Sequence, residues 1–469
     1  MTSPALARGA ADPLRDLASR AAAAAISMPM ALVAQRSVQR FFLLLAAVGA
    51  QIHVGKRLFY LSDGLGSSGG FDVSLTTFAL AGLYSAWLVE LAVRPGRDRR
   101  MLRSTLLSIL PAALFLLCVF FSLFVASNLP YAAAEAWDLT EMFLVLLYAA
   151  CRISENKEIL LIFRSISLIL ILESVLIIGQ GIGLLGEFNL AGFKGAAAEF
   201  AGQNRPSGTF GAPNNAAGYL AAAGVICLGN ILAGARGIDR FLAAAAFLSA
   251  IPPLALTLSR GGWFGFIAGT SVLIFFLARR TRWKTCIAIV TCLGLAALPF
   301  APAIAQRILD DDGSAEVRMG LNKLALRMIL DHPVLGVGIN NFATAMGPYR
   351  ARGYSLEWSY AAHNVYLLVC SETGVFGLIA FLWLTLRPVY QGIRDRNGRD
   401  KVAASWGVCC AAAIMTYLVQ GAFEPATTES PARLAWLLIG LAPALVRIAR
   451  PAISVRGKST VGIASGFPE

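Results

Sequence analysis

His363 is the side chain in this sequence best suited by type to transfer a proton. It is one of three histidines, with His53 and His332, and it opens the stretch HNVYLLVCSETGVFG, where a polar, basic segment gives way to an apolar run. Imidazole changes its protonation state near neutral pH, so it can accept a proton from an attacking hydroxyl group. An ionisable group at the mouth of an apolar helix is costly to place, which makes His363 a functional candidate.

Basic side chains in four other polar segments are candidates for binding an anion. They are Arg318, Arg260 in LTLSRGGW, Arg205 in NRPSGTFGAPNN, and the Lys56-Arg57 pair. Guanidinium groups bind phosphate through paired, charge-assisted hydrogen bonds. A diphosphate leaving group needs its charge stabilised, which arginines can do without a metal ion. The residue types therefore point to a phosphate-bearing lipid headgroup.

Each of these candidates also has a purely structural interpretation. Arg260 could cap a tight turn or meet lipid phosphates, and Arg318 could lie on the solvated face of a surface helix. Arg205 could hold its loop through backbone carbonyls, and the Lys56-Arg57 pair could be interfacial anchors. Asn364, next to His363, could cap the start of a helix.

Several other polar residues favour structural roles. His332 precedes a proline and fits a turn, and His53 could pack beneath a loop. Arg164 and Glu173 lie within one apolar run, nine residues apart, so each is expected to pair with another helix or line a cavity. The run Asp310–Asp312 resembles a cation site only by composition, because no further ligand spacing follows it.

The composition indicates a membrane protein. The 469 residues are 57% hydrophobic and 14% charged, whereas soluble domains carry about 25% charged residues. The net charge of +13 does not favour a nucleic-acid partner, because the Lys and Arg residues cluster in short connections between apolar runs. Free, buried thiols are expected, with no disulfide or zinc site, for the eight cysteines, Cys118, Cys151, Cys227, Cys286, Cys292, Cys370, Cys409 and Cys410.

The pattern of apolar runs predicts an all-α, polytopic membrane helical bundle of about twelve transmembrane helices. The predicted spans are 39–55, 75–93, 104–126, 138–151, 159–184, 215–234, 241–258, 263–278, 285–302, 363–386, 402–422 and 433–449. The loops of one side and both termini together hold most of the 40 Lys and Arg residues, so that side is predicted to be cytoplasmic.

This topology divides the chain into five parts. A cytoplasmic or interfacial segment, 1–38, precedes helices one to nine in 39–302. A large periplasmic loop, 303–362, separates these from helices ten to twelve in 363–449, and a cytoplasmic tail, 450–469, follows. All the candidate residues then face the periplasm, where clustered cations run against the usual charge bias.

Within the large loop, the spacing of apolar residues predicts an amphipathic helix near the membrane surface. Its predicted apolar face carries Val317, Leu321, Leu324, Met328 and Leu330, and the His332-Pro333 step is predicted to end it, since the residue before proline is disfavoured in helical geometry.

These motifs together resemble those of a known family, the O-antigen ligases and the related O-antigen and exopolysaccharide polymerases. The family pattern of His, then Asn, Ser or Gln, nine residues and Gly-x-x-Gly is matched by His363, Asn364, the residues Val365 to Thr373, Gly374 and Gly377. The segment 259–262 is similar to a Ser-Arg-Gly-type turn of the family. An arginine upstream of a His-Pro-x-x-Gly-x-Gly element resembles Arg318 followed by 332–338, and the segment that starts at Arg205 is similar to the family's loop before its middle helices.

The resemblance implies a metal-independent, cofactor-free, inverting glycosyltransferase of the bacterial inner membrane with a periplasmic active site. Its expected donor is an undecaprenyl-diphosphate-linked glycan, and its acceptor is lipid A–core for a ligase or a growing polysaccharide for a polymerase. Under this interpretation His363 activates the acceptor, and Arg260 and Arg318 are catalytic ligands of the diphosphate. Arg205, Lys56 and Arg57 assist in binding it, and Asn364, Gly374 and Gly377 support the site.

Two alternatives stay open at this point. A polymerase of the same superfamily would carry the same motifs. A transporter for a lipid-linked sugar is a different class, and Pro252-Pro253 and Glu173 within predicted spans favour it, because transporters place polar groups on broken helices near the bilayer midplane. The candidate residues instead collect at one face, which favours a reaction at the membrane surface.

Overall fold

The structure, a computed structural model, describes residues 35–450 apart from 53, 61–69, 94–98, 187, 191–192, 196, 201–202, most of 279–313, 351–359 and 426. The α-helices in chain order are α1 (Arg36–Gln51), α2 (Leu75–Val93), α3 (Arg99–Ser122), α4 (Leu129–Arg152), α5 (Asn156–Gly181), α6 (Pro213–Leu232), α7 (Gly237–Leu256), α8 (Arg260–Leu277), α9 (Ser314–Asp331), α10 (Phe342–Ala345), α11 (Val365–Arg394), α12 (Lys401–Gly421) and α13 (Ser430–Ala449).

Within the described residues, nine helices are long and apolar enough to cross a membrane, namely α2, α3, α5 to α8 and α11 to α13. The predicted multi-pass helical membrane protein is therefore confirmed, although the number twelve is not. Eleven of the twelve predicted spans fall on helices, and the span 285–302 lies mostly outside the described residues. Of the remaining two, α1 has only 16 residues, and α4 buries Glu135, Asp138 and Glu141.

The fold is not purely helical, which corrects one part of the all-α prediction. Three two-stranded antiparallel hairpins lie in the connections α1–α2 and α5–α6. Each hairpin satisfies backbone hydrogen bonds within a connection between two helices. The strands pair β1 (Gly55–Tyr60) with β2 (Gly70–Ser74), β3 (Phe188–Leu190) with β4 (Phe193–Gly195), and β5 (Ala197–Phe200) with β6 (Gln203–Pro206).

Helix α12 lies at the centre of the bundle, in contact with α6, α8, α11 and α13. Small residues let the helix backbones approach closely. A Cβ at Gly392 of α11 would collide with Gly407 of α12, and one at Gly229 of α6 would meet Cys409 of α12. Such small-residue contacts are a common basis of helix association in membranes, where lipid tails are as apolar as leucine.

Helix α11 is broken in the middle. Gly374 has φ 75° and ψ −179°, a conformation open to glycine, and it separates two arms, 365–373 and 375–394. The rings of Tyr366 and Phe381 lie 6.3 Å apart, whereas a straight helix would separate residues fifteen positions apart by about 22 Å along its axis. The chain therefore bends sharply at Gly374, within the predicted span 363–386.

The end of the large loop fills this break. The amide of Val337 donates to Ser371 O at 2.9 Å, and that of Gly338 donates to Glu372 O at 3.0 Å. In return, the amide of Val375 donates to Pro333 O at 2.9 Å. Backbone groups that the break removes from the helix ladder thus find partners in the loop, as buried backbone groups require.

The surface helix predicted within the loop is present as α9 and ends at Asp331, just before His332-Pro333. Leu321, Leu324 and Met328 are buried, as predicted. Val317 and Leu330, also assigned to the apolar face, are exposed. The buried stripe is one helical face centred on Leu321, Leu324 and Met328, and Leu330 falls on the opposite side.

The remaining polar residues have structural surroundings. Arg164 donates to both carboxylate oxygens of Asp239 on α7, at 2.6 and 3.2 Å. Glu173 is fully buried and accepts from the hydroxyl of Thr209 at 2.5 Å, which ties the loop before α6 to α5. His53 and Asp310–Asp312 lie outside the described residues. The six described cysteines are free thiols, and all except Cys118 are buried.

Candidate active site

Helices α8 and α11 begin, and α12 ends, at the same end of the bundle. This end holds Arg260, His363 and Glu424, and we call it the site end. The opposite end, where Arg164 and Asp239 lie, is called the far end.

Glu424 brings two of the predicted residues together. Its Oε1 lies 3.4 Å from Nη2 of Arg318, and its Oε2 lies 3.5 Å from Nδ1 of His363. The Glu424 side chain is only 5% exposed, whereas those of Arg318 and His363 are each 26% exposed. A base and a guanidinium from distant parts of the sequence thus meet on one buried carboxylate.

Asn364 fixes the backbone beside His363. It is the N-cap of α11, and its side-chain oxygen accepts from the amides of Tyr366 and Leu367 at 3.0 and 3.1 Å. Its amide nitrogen donates to Ala422 O at 3.4 Å, across the end of α12. The structural interpretation of Asn364 as a helix cap therefore holds, and the cap also sets where His363 begins the helix.

The Arg260 turn packs against the same connection. A Cβ at Gly261 would lie 3.0 Å from Cβ of Phe423, the residue before Glu424, and the rings of Phe264 and Phe423 are 5.6 Å apart. Ser259 caps α8 by accepting from Gly262 N at 3.4 Å. Leu258 has a positive φ of 50°, so the turn holds a strained backbone two residues before Arg260. Arg260 is thus the first residue of a helix beside Glu424.

Arg205 lies one layer further in and is 7% exposed. Its Nε donates to Thr257 O and its Nη2 donates to Asn214 Oδ1, both at 2.8 Å. Thr257 is two residues before the Ser259 cap, and Asn214 O accepts from Gln420 Nε2 at 2.8 Å. These contacts match the interpretation in which Arg205 holds its loop, and they place it beneath the Arg260 turn.

The Lys56-Arg57 pair lies on strand β1, where Lys56 pairs with Val73 and Arg57 with Asp72. Lys56 is exposed, and no contact between described residues joins it to the site. The structure therefore brings His363 and Arg318 together on Glu424 and places the Arg260 turn against the neighbouring Phe423, with Arg205 beneath that turn. It leaves Lys56 and Arg57 on a separate hairpin.

Gly374 and Gly377 contribute shape instead of functional groups. A Cβ at Gly374 would overlap the carbonyl oxygen of Val334, and one at Gly377 would overlap the hydroxyl of Thr373 and touch Cys118 of α3. The two motifs, His-Asn with its glycines and the 332–338 element, are therefore one structural unit, because the second fills the break in the first.

Buried acids lie behind Glu424 and were not singled out from the sequence. Glu135 accepts from the hydroxyls of Thr427 and Thr428, at 2.8 and 3.2 Å. Glu429 accepts from the amides of Thr427 and Thr428 at 2.9 and 3.2 Å. Burial raises the pKa of Glu429, although these backbone amides and the charge of Arg433 lower it. These acids fix the connection that carries Glu424.

An apolar cavity of about 370 Å³ opens beneath the site, between the bent α11 and α12. Tyr366, Ala422 and Phe423 form its rim, next to His363 and Glu424 in the chain. Its other lining residues are Leu382, Leu386, Met415, Leu418 and Val419. Its size and lining are those of a site for an apolar ligand group.

Residues 244–382 match the family model Wzy_C, described as O-antigen ligase. This stretch of the chain is similar to the O-antigen ligase family. The resemblance predicted from the motifs is thus confirmed, and the matched range contains Arg260, Arg318 and His363. The match supports a function of the O-antigen ligase or polymerase type in general, in a multi-pass membrane protein. No curated protein matches the chain.

Glu424 lies outside the matched range and was missed by the sequence analysis. Its only sequence signal is its position in FEPATTES, a short polar stretch between the last two apolar runs. The site as a whole offers a histidine able to accept a proton, guanidinium groups for an anion, and an apolar cavity for a lipid tail.

Proposed function

We propose that this protein is an O-antigen ligase-type glycosyltransferase that moves a glycan from undecaprenyl diphosphate to an acceptor hydroxyl of lipid A–core, at the periplasmic face of the bacterial inner membrane. The observation that carries the proposal is the convergence of His363 and Arg318 on Glu424, beside the helix start at Arg260. A general base and cationic anion ligands are the two requirements for displacing a diphosphate.

In the proposed reaction the acceptor hydroxyl gives its proton to Nε2 of His363 while its oxygen bonds to the anomeric carbon. The bond between that carbon and the diphosphate oxygen breaks, and the electron pair leaves with undecaprenyl diphosphate. Direct displacement inverts the anomeric centre. Arg260 and Arg318 bind the charge that grows on the leaving group, so neither a protonating acid nor a metal ion is needed for that step.

Arg205 takes part in this proposal through position. It holds Thr257 and Asn214, so it sets the turn that presents Arg260. The Lys56-Arg57 pair contributes only a long-range positive field, which salt weakens.

The apolar cavity supports a lipid-linked donor. Its rim residues Ala422 and Phe423 adjoin Glu424, and Phe423 also packs against Gly261 beside Arg260. A diphosphate at Arg260 would therefore have an apolar site within reach for the first isoprene units of its tail. This arrangement suits a substrate with a charged headgroup on a long hydrocarbon chain.

The test uses the purified full chain with undecaprenyl-diphosphate-linked glycan, with and without lipid A–core. A ligase shifts the mobility of lipid A–core, whereas lengthening of the glycan without that acceptor would assign the polymerase function instead. His363→Ala is expected to lower the rate by about 10²–10⁴-fold, the usual contribution of general acid–base catalysis. The control, His332→Ala, removes an exposed histidine from the same loop and should retain activity. Full activity in His363→Ala would refute the proposed role of His363.

A further inference from the structure

We propose that Glu424 is a positioning residue that couples the base His363 to the anion ligand Arg318. The inference rests on the proposed function and adds to it the residue that aligns the site. Glu424 comes from the α12–α13 connection, a part of the chain that no motif of the sequence identified.

The contacts of Glu424 differ from those of the acids behind it. Glu135 and Glu429 accept from hydroxyls and backbone amides, which are the usual partners of a structural carboxylate. Glu424 instead faces one basic side chain with each oxygen, Arg318 with Oε1 and His363 with Oε2. A carboxylate that is 5% exposed requires such partners, and here both are groups proposed to do chemistry.

The side of the imidazole that faces Glu424 determines which nitrogen is available as a base. Nδ1 of His363 is buried and makes no hydrogen bond within the described part of the chain, while Glu424 Oε2 lies 3.5 Å away. Catalytic hydrogen bonds are often long before substrate binds and shorten in the complex. A proton on Nδ1 directed at Glu424 leaves the lone pair on Nε2 for the acceptor hydroxyl. The carboxylate also stabilises the imidazolium that forms when that proton arrives.

The contact with Arg318 is the second half of the coupling. A single nitrogen of the guanidinium, Nη2, lies 3.4 Å from Glu424, and the arginine fork has five N–H donors. One contact therefore fixes the direction of the guanidinium while other donors stay available for a diphosphate. Because both contacts use the same carboxylate, a shift of Arg318 on donor binding moves the group that orients His363.

The first experiment is a double-mutant cycle in the transfer assay with the full-length chain. Glu424→Gln keeps the size of the side chain and removes its charge, and we expect kcat to fall about 10²-fold with KM for the acceptor little changed. In the His363→Ala background the same substitution should have a much smaller effect, because only its action on Arg318 remains. Glu424→Asp keeps the carboxylate and should recover part of the loss.

The second experiment does not depend on transfer activity. Diethyl pyrocarbonate acylates neutral imidazole nitrogen, and mass spectrometry assigns the modified histidine. At alkaline pH we expect Glu424→Gln to slow modification of His363 several-fold, because the carboxylate raises the nucleophilicity of Nε2. The exposed His332 in the same molecule is the internal control and should react at an unchanged rate.

The outcomes separate the two proposals. Equal losses from Glu424→Gln in the wild-type and His363→Ala backgrounds, or an unchanged ratio of His363 to His332 modification, would refute the positioning role. Loss of transfer without any change of histidine reactivity would identify Glu424 as a structural acid only. If the wild-type chain transfers no glycan to any acceptor, the proposed function fails, and the modification ratio still decides whether Glu424 orients His363.

Discussion

The two ends of the bundle manage their basic residues in different ways. At the far end, arginines meet carboxylates of their own. Arg40 donates to Glu155 and Glu158, at 2.9 and 3.3 Å, and Arg164 forms a two-bond pair with Asp239. The Arg40 contacts join α1 to the start of α5, and the Arg164 pair joins α5 to α7.

At the site end, the same residue types are held differently. One carboxylate, Glu424, faces both Arg318 and His363, and Arg205 donates to two neutral oxygens. One carboxylate is thus shared there between a guanidinium and an imidazole. A binding site for an anion needs this arrangement, because a fully paired arginine would have to break its ion pair before it could bind phosphate.

The largest predicted difference between the two ends is the effect of replacing one arginine at each end by alanine. Arg318→Ala should lower transfer by about 10²–10³-fold, the usual loss on removing one donor to a developing anion. Arg164→Ala, which breaks an exposed ion pair at the far end, should cost only about 0.2–1 kcal/mol of stability and leave turnover intact. Initial rates and thermal unfolding of both variants in detergent test this. Equal losses of turnover would mean that the two ends do not differ in function.

A second prediction concerns the backbone that shapes the site end. Gly374→Ala should destabilise the protein by about 3 kcal/mol or more, because the added Cβ meets Val334 O and because φ 75° is strained for alanine. The matched control is Gly347→Ala, where a Cβ would meet nothing within 4 Å. Thermal unfolding is the measurement, and similar midpoints for the two variants would argue against the bend at Gly374.

A third prediction tests whether Arg205 positions the Arg260 turn or binds the diphosphate. Arg205→Ala should lower kcat about tenfold and leave KM for the donor nearly unchanged, because it displaces the Arg260 turn without removing a ligand. Arg40→Ala, the control from the far end, should change neither constant. A large rise in donor KM with kcat preserved would instead show that Arg205 binds the diphosphate directly.

The smallest predicted effect tests the cavity. Met415→Trp should occupy part of it and raise KM about fivefold for a donor with a long polyprenyl chain, while a donor with a short prenyl chain should be affected less. Leu172→Trp is a suitable control, since Leu172 is 49% exposed on α5. If the acceptor KM rises in place of the donor KM, the cavity holds the lipid of the acceptor.

The features that the sequence predicted are those that depend on neighbouring residues. Asn364 before an apolar run predicts a cap, and His332-Pro333 predicts the end of α9, because both follow from local backbone chemistry. The His363 candidate also came from its place at a helix start.

The missed features depend on distant partners. Glu424 contacts Arg318 and His363 only in the folded protein, and no periodic pattern in the sequence predicts these contacts. The break in α11 is stabilised by hydrogen bonds to residues 333–338. The apolar run does not contain these partners, so by itself it predicts one straight span. The exposure of Leu330 likewise depends on which face of α9 packs against α11.

The hydrogen bonds between α11 and the end of the large loop limit where the chain can change in length. Three backbone hydrogen bonds align residues 333–338 with residues 371–375. An insertion or deletion within 333–338 would therefore disrupt this alignment. Met346 and Ala362 are both buried, so the ends of the connection between them are fixed, and each doubling of a flexible connection costs only about 0.6 kcal/mol. Variation in length, and with it the fit to different acceptors, is therefore expected to concentrate after Met346 and not before it.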